Sequence, residues 1–324
     1  MAAISKTRTH TSSRRRPNRW LVTSVLARAS TLALATSANA QTLPTGGTVA
    51  AGSATIATSG STTTVTQTSS NAVINWSSFS VGQGAAVTFD QPNTSSATLN
   101  RVTGDTTSVI AGTITATGTV YLVNPNGISI TSTGTVQTGG SFVASTLNIT
   151  DDAFMAGNYT FTGTGASKTV SNAGSITAGS GAYVALLGGA VSNSGTITVP
   201  LGKLAMGSGE QVVLDINGDN FLQVAVPTSL VTGDNALVDN SGTILVSGGT
   251  VELKAAVLKD AVRNVINMSG TINVDSAVGD AGTIRLIGGS DTDNMAGTVT
   301  VSGTLSAQAT GSTGNGGTIE TSGE

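Results

Sequence analysis

The chain has a single histidine, His10, and no cysteine. His10 lies in a basic leader, so the remaining chain has no imidazole to serve as the general base of a Ser–His or Cys–His arrangement. Metal sites built on His or Cys are excluded on the same ground, and neither a metal nor a cofactor is expected. The segment "GTGASKT" at 163–169 hints at a phosphate loop, but that loop needs Gly directly before Lys, and here Ser167 precedes Lys168. Asp215, Asn217 and Asp219 have the spacing of positions 1, 3 and 5 of a calcium loop. Asn220 and Val226 stand where its Gly and Glu belong, so a turn between strands is expected. Asp151-Asp152 and Asp291/Asp293 read as solvated loop acids. A polysaccharide lyase or hydrolase would need clustered carboxylates with an Arg or Lys nearby. Arg101, Arg263 and Arg285 are far apart in the chain, and the acids do not recur with any period. The chain is therefore not expected to be an enzyme, with a carbohydrate-active enzyme kept as the alternative.

The elements that would carry any site must be thin. Of 324 residues, 42 are Gly and 6 are Pro; only 3% are aromatic and 10% charged. Val, Ile, Leu, Thr and Ala can fill a narrow core, and low charge with positive mean hydropathy argues against disorder. Residues 1–40 differ from the rest. Lys6, Arg8, Arg14, Arg15, Arg16 and Arg19 precede an apolar run that ends in Ala38-Asn39-Ala40, the pattern of a cleaved export signal with a long basic start. After Gln41 there are seven basic and seventeen acidic residues, a net charge of −10. That balance disfavours nucleic acid and anionic membrane surfaces as partners.

Internal repeats are visible. "SNAGSITAGSGAYVALLGGAV" (171–191) directly precedes "SNSGTITVPLGKLAMGSGEQV" (192–212), and the two match at an offset of 21, including Gly181 with Gly202 and Gly188 with Gly209. "DNSGTILVSGGTVELKAA" (239–256) and shorter Gly-Thr-Ile units continue the theme. A period in the low twenties marks a solenoid, and β-branched residues favour strands. The expected fold is all-β, a right-handed parallel β-helix with an irregular, capped N-terminal end. Glycines would supply positive φ at its corners. Asn172, Asn193 and Asn240 would stack at one corner and bond along the axis. At ~21 residues per coil, about 13 coils and a rod of ~60 Å are expected, using the spacing between strands. One helix or helical turn is expected as an insertion within "ELKAAVLKDAVRNVI" (252–266). The aromatic-rich stretch 41–170 is expected to form the cap and first coils, and 171–324 a regular shaft that continues in a longer protein.

Residues 74–130 closely resemble the amino-terminal secretion domain of filamentous-haemagglutinin-like exoproteins of two-partner (type Vb) secretion. The resemblance rests on Asn75-Trp76 with Phe79, on Phe89, Gln91-Pro92 and Leu99-Asn100-Arg101-Val102, and on Asn124-Pro125-Asn126-Gly127. "GGSFVASTLNIT" (139–150) and "VVLDINGDNFLQVAV" (212–226) look similar too, and the resemblance covers roughly 45–300. It implies a secreted surface adhesin exported through the periplasm to the Gram-negative cell surface. The implied partner is an outer-membrane TpsB-type transporter with periplasmic POTRA domains, and glycan or protein receptors on host or bacterial surfaces would follow. The carrier stem of a toxin is a further alternative. It also marks Asn100, Arg101, Asn124, Pro125, Asn126 and Gly127 as residues serving transporter recognition or the local fold. For the last four, ordinary turn chemistry suffices: Asn at i, Pro at i+1 and Gly at i+3 suit a type I turn.

Overall fold

The computed structural model describes residues 42–216, 221–229, 236–256, 264–289 and 297–323. Three sheets wind around one axis as a parallel β-helix. The first runs from Thr48–Ala51 and Asn71–Trp76 to Thr318–Ser322, the second from Ala54–Ser59 and Thr62–Gln67 to Thr304–Ser306, and the third from Ser108–Ile110 to Thr298–Val301. Thr48–Ala51 and Ala54–Ser59 pair antiparallel with their neighbours; every later pairing within these three sheets is parallel. The antiparallel pair covers the first edge, which an open stack would leave as a template for another chain. The parallel stack runs without a break across residue 170, where Ile128–Ile130 pairs with Thr169–Asn172.

Alternation explains the interior. In the second sheet Ile114, Val136, Ile176, Ile197, Ile244 and Ile272 are in register, each fully buried. Complete burial of such a side chain is worth about 1.5–3 kcal/mol. Asn172 Nδ2 donates to Asn193 Oδ1 at 2.8 Å, and Asn193 Nδ2 to Asn240 Oδ1 at 2.7 Å. The expected Asn column is therefore present. Ile130 stands before it, and Met268 follows, its Sδ accepting from Asn240.

Several expectations are corrected. Among the described residues nine parallel strands stack in the first sheet, not about 13, and span about 40 Å at the strand spacing. Insertions consume the difference: Phe142 stacks on Val120 one plain coil below, but its next partner is Val184, and Lys203 waits until Thr250. Within 252–266, where a helix or helical turn is expected as an insertion, only the two ends are described. Thr250–Ala255 and Asn264–Met268 are strands of different sheets, and 257–263 lies outside the described residues. Along the first strand, Val251, Leu253 and Ala255 are interior, with period two.

The recurring corner glycines serve close approach rather than positive φ. A Cβ on Gly195, Gly242, Gly270 or Gly303 would lie 2.0–2.2 Å from the carbonyl oxygen of Gly174, Gly195, Gly242 or Gly270 beneath it. Positive φ occurs at another corner, where Gly181 (φ 74°), Leu201 (φ 55°) and Gly248 (φ 67°) follow one another in successive coils. The structure pairs Tyr183 with Lys203 and Gly188 with Ser208, so Gly181 does not match Gly202, nor Gly188 Gly209. Between the second and first sheets the upper coil uses one residue fewer.

A second core lies outside the helix. Trp76, Phe79, Phe89 and Phe142 are interior, whereas Tyr121, Phe154, Phe161, Tyr183 and Phe221 pack on the outer face of the first sheet. A short helix, α1 (Asp151–Met155), and a small sheet of Thr160–Thr162, Gln211–Leu214 and Leu222–Val226 cover that face. Hence the strand Thr119–Val123 is buried on both sides. Its unbroken apolar run is the signature of a doubly covered parallel strand.

Asn193→Ala would leave Asn172 and Asn240 each short of a buried partner. We expect a loss of about 2–3 kcal/mol from two orphaned groups, measured by denaturant unfolding. Leu201 holds a left-handed conformation that costs a branched residue about 1–2 kcal/mol. Leu201→Gly should therefore raise stability by up to about 1 kcal/mol after the entropy of glycine is counted, seen as a higher midpoint in the same assay.

Candidate functional site

Asn100 and Arg101 occupy one strand, Ala97–Val102, and alternation sends them to opposite faces. Asn100 is fully buried inside the helix. Its Oδ1 accepts from Trp76 Nε1 at 3.0 Å, and its Nδ2 donates to the Tyr121 carbonyl at 3.3 Å. The largest interior ring thus has its one polar atom satisfied, as a buried indole requires.

Arg101 reaches outward. Its Nε donates to Asn148 Oδ1 (3.0 Å), and its Nη1 to Asn75 Oδ1 (3.2 Å) and Asp151 Oδ1 (2.5 Å). Nη2 donates to the Ile149 carbonyl. One guanidinium ties the sheet to α1. Asp151 is therefore no loop acid: with Asp152 it forms the first turn of α1, behind the N-cap Thr150, where negative charge suits the helix dipole. Asp291 and Asp293 lie outside the described residues.

Asn124-Pro125-Asn126-Gly127 forms the corner after Thr119–Val123. Arg101 pairs with Val123, so the marked residues share one end of the sheet. Gly127 N–H closes the turn onto the Asn124 carbonyl at 3.1 Å, and Gly127 has φ 112°, which excludes a side chain without strain. Asn124 is fully buried. Its Nδ2 donates to the Thr106 carbonyl and to Ser108 Oγ, each at 2.9 Å, and its Oδ1 accepts from Asn126 N–H at 2.9 Å. Asn126 Nδ2 donates to the Gly104 carbonyl at 2.8 Å. Both amides hold the corner on the coil below. Pro125 alone is exposed to solvent.

Two further polar knots were not legible as such. Gln67 and Gln91 are buried at a corner, and both bond Thr98; Gln91 Oε1 also accepts from Gly118 N–H at 2.7 Å. The Gly-rich stretch 163–169 does bind an anion, but that anion is Glu210. Its carboxylate accepts from Gly165 N–H (2.9 Å), Ser167 N–H (2.9 Å) and Ser167 Oγ (2.6 Å). The loop amides that suggested a phosphate are spent within the chain. Asp215 begins the connection between two antiparallel strands, as a turn requires; Asn217 and Asp219 lie outside the described residues. Among the described residues, no group of three or more His, Cys, Asp or Glu side chains could hold a metal ion. Arg285 pairs with Glu252 and Glu320, and Arg263 lies outside the described residues.

A family model described as "TPS secretion domain" matches residues 40–320. The chain belongs to the TPS secretion domain family. Such domains direct exported exoproteins to the cell surface or medium, and imply an outer-membrane transporter of the TpsB type as partner. The HMW1 secretion domain of Haemophilus influenzae matches with a TM-score of 0.65 and 28% identity, covering 86% of this chain and 73% of that one. The filamentous hemagglutinin secretion domain shares the fold, with a TM-score of 0.54 and 16% identity over 86% of this chain and 99% of that one. In sequence, a heme/hemopexin-binding protein of Haemophilus influenzae is 44% identical over 108 residues. Those residues are 33% of this chain and 12% of that protein. The chain thus matches only a small part of that protein's length.

Burial would raise the pKa of Glu210, but hydrogen bonds from the Ser167 hydroxyl and amide, Thr228 and the Gly165 amide outweigh it and hold the carboxyl below its ordinary 4.5. The sign follows: its stabilisation is complete above about pH 4.5 and is lost as pH falls through the lower folded value. Glu210→Gln should cost about 1–3 kcal/mol at pH 7 and flatten stability against pH below 4.5, measured by unfolding at stepped pH.

Proposed function

We propose that this chain is the export-directing front part of a secreted, surface-associated adhesin. A TpsB-type transporter with periplasmic POTRA domains takes it from the periplasm, and surface glycans or proteins are its eventual receptors. On this reading residues 1–40 are the cleaved signal, 41–170 carry the cap and the recognition function, and 171–324 begin the shaft. The observation that carries the proposal is the one-coil range of the bonding: the Asn column, the Gly columns and the Asn124 corner each join a residue to the coil beside it. A chain emerging in order can add coil upon coil, so each newly folded coil opposes backward movement without ATP.

The corner acts on export through the fold. Asn124 has no surface for a partner to touch, and its bonds are made within the domain. Asn100, Arg101, Asn126 and Gly127 serve the same role, and Pro125 stiffens the turn. Haem and hemopexin belong to the name of a protein of which the match covers 12%, and are not carried over.

Asn124→Ala and Pro125→Ala should both lower the secreted amount when the chain is co-expressed with its transporter, Asn124→Ala more severely. The purified Asn124→Ala domain should lose about 1–3 kcal/mol, the cost of orphaning buried polar groups. A variant that unfolds like the wild type yet no longer binds POTRA domains would refute the fold-mediated reading in favour of direct contact.

A further inference from the structure

On the outer face of the first sheet lies a groove of about 450 Å³ that none of the marked residues lines. Its floor follows the helix axis. Asn71, Ala97 and Thr119 are cross-strand partners, and Ser141 and Tyr183 stand directly before the partners Phe142 and Val184. Five adjacent strands give it a length of about 19 Å. The half-buried Tyr159 ring forms one wall and stacks on the fully buried Tyr121 with centroids 5.5 Å apart, and the Tyr121 and Tyr183 hydroxyls bond each other behind it. The opposite wall is Thr94, Ser95 and Ser180 with the backbones of Gly139, Gly140 and Gly181.

Two features mark this as a built site. Thr119 and Ser141 are 8% and 4% exposed, yet both line the groove. Thr119 Oγ1 accepts from Ser141 N–H (3.0 Å), and Ser141 Oγ accepts from Tyr183 N–H (3.0 Å). The Ser141 hydroxyl also bonds the Tyr183 side chain, so among the described residues Thr119 Oγ1 is the buried hydroxyl left to donate into the groove. The lining is also uncharged. Burial, foremost, pushes both Tyr121 and Tyr183 well above the ordinary phenol value, so these hydroxyls stay neutral.

We propose that the groove binds a neutral oligosaccharide laid along the helix axis. A phosphate or carboxylate ligand would want a cation, and among the described residues no Lys or Arg lines the groove. A lipid tail would want apolar walls, and these carry hydroxyls. A peptide adding to a sheet needs a free strand edge; this floor is a sheet face whose backbone groups are committed to the ladder. Rows of hydroxyls beside an aromatic wall suit the alternating polar rim and apolar face of a sugar ring, and the volume lies within the usual range for small-ligand sites. Among the described residues no carboxylate lines the groove, so the sugar is held rather than cleaved. The inference is independent of the export reading, since it concerns the folded face alone.

The test is a printed array of neutral, sialylated and sulfated glycans probed with the purified full chain, then calorimetric titration of the strongest neutral glycan. Thr94→Trp and Ser180→Trp, both at exposed positions on the rim, should fill the groove and weaken binding at least tenfold with an unchanged melting temperature. Tyr159→Ala should weaken it through loss of the aromatic wall. Capture of neutral glycans with this loss supports the site. No glycan binding, binding confined to charged glycans, or binding that survives in both Trp variants overturns it, whatever the secretion assay shows.

Discussion

Coil must lie on coil at the distance of one strand spacing, and nearly everything else in the domain answers to that requirement. At the corner of Gly174, Gly195, Gly242, Gly270 and Gly303, backbone meets backbone so closely that a Cβ would sit within about 2.3 Å of a carbonyl oxygen. No side-chain movement relieves such a contact, because the obstacle is main chain. The glycine column sets the register, and the register then stacks like on like: Ile on Ile in the second sheet and Asn on Asn beside it. One side chain per coil makes the column contacts, so the stack has no single centre. Its order is local and sequential, as in other solenoids.

The second constraint is that one sheet is covered twice. A plain β-helix leaves its outer faces to water. Here the first sheet carries an outer core of Tyr121, Phe154, Phe161, Tyr183 and Phe221 beneath inserted elements. The insertions are held by charge as well as by packing. Arg101 grips α1 and its approach, and Glu210 gathers the loop at 163–169. Both charges have more than one hydrogen-bond partner, which offsets much of what burial costs an ion. They fasten the added elements to the stack at two separate points.

These anchors change how the family motif is understood. The residues of the motif bond one another and neighbouring segments of the domain. Trp76 meets Asn100, Asn75 meets Arg101, and Asn124 bonds the preceding corner. Their side chains are turned into the domain or spent on its neighbours, so their pattern reports the shape of the first coils. What faces solvent at that end is Pro125 and the loop beneath it.

How much was legible varied with the range of the interaction. The parallel β-helix, the Asn column and the hairpin turn at Asp215 were legible because each depends on alternation, repetition or turn chemistry along the chain. The strands Thr250–Ala255 and Asn264–Met268 flank the segment where a helical turn is expected, and 257–263 lies outside the described residues. The number of coils was overestimated because insertions share the composition of the coils they interrupt. Glu210 was invisible as the partner of 163–169, since its 2.9 Å contacts join segments more than forty residues apart. The groove was invisible too: Thr119, Ser141 and Tyr183 belong to three coils, and only stacking brings them side by side. The order of residues alone determined which side chains face inward and which glycines must recur, because both follow from period two and coil spacing. The tertiary structure alone decided where the loops fold back, which charges they meet and what open surface is left, because those outcomes depend on distances between coils that the chain does not carry locally.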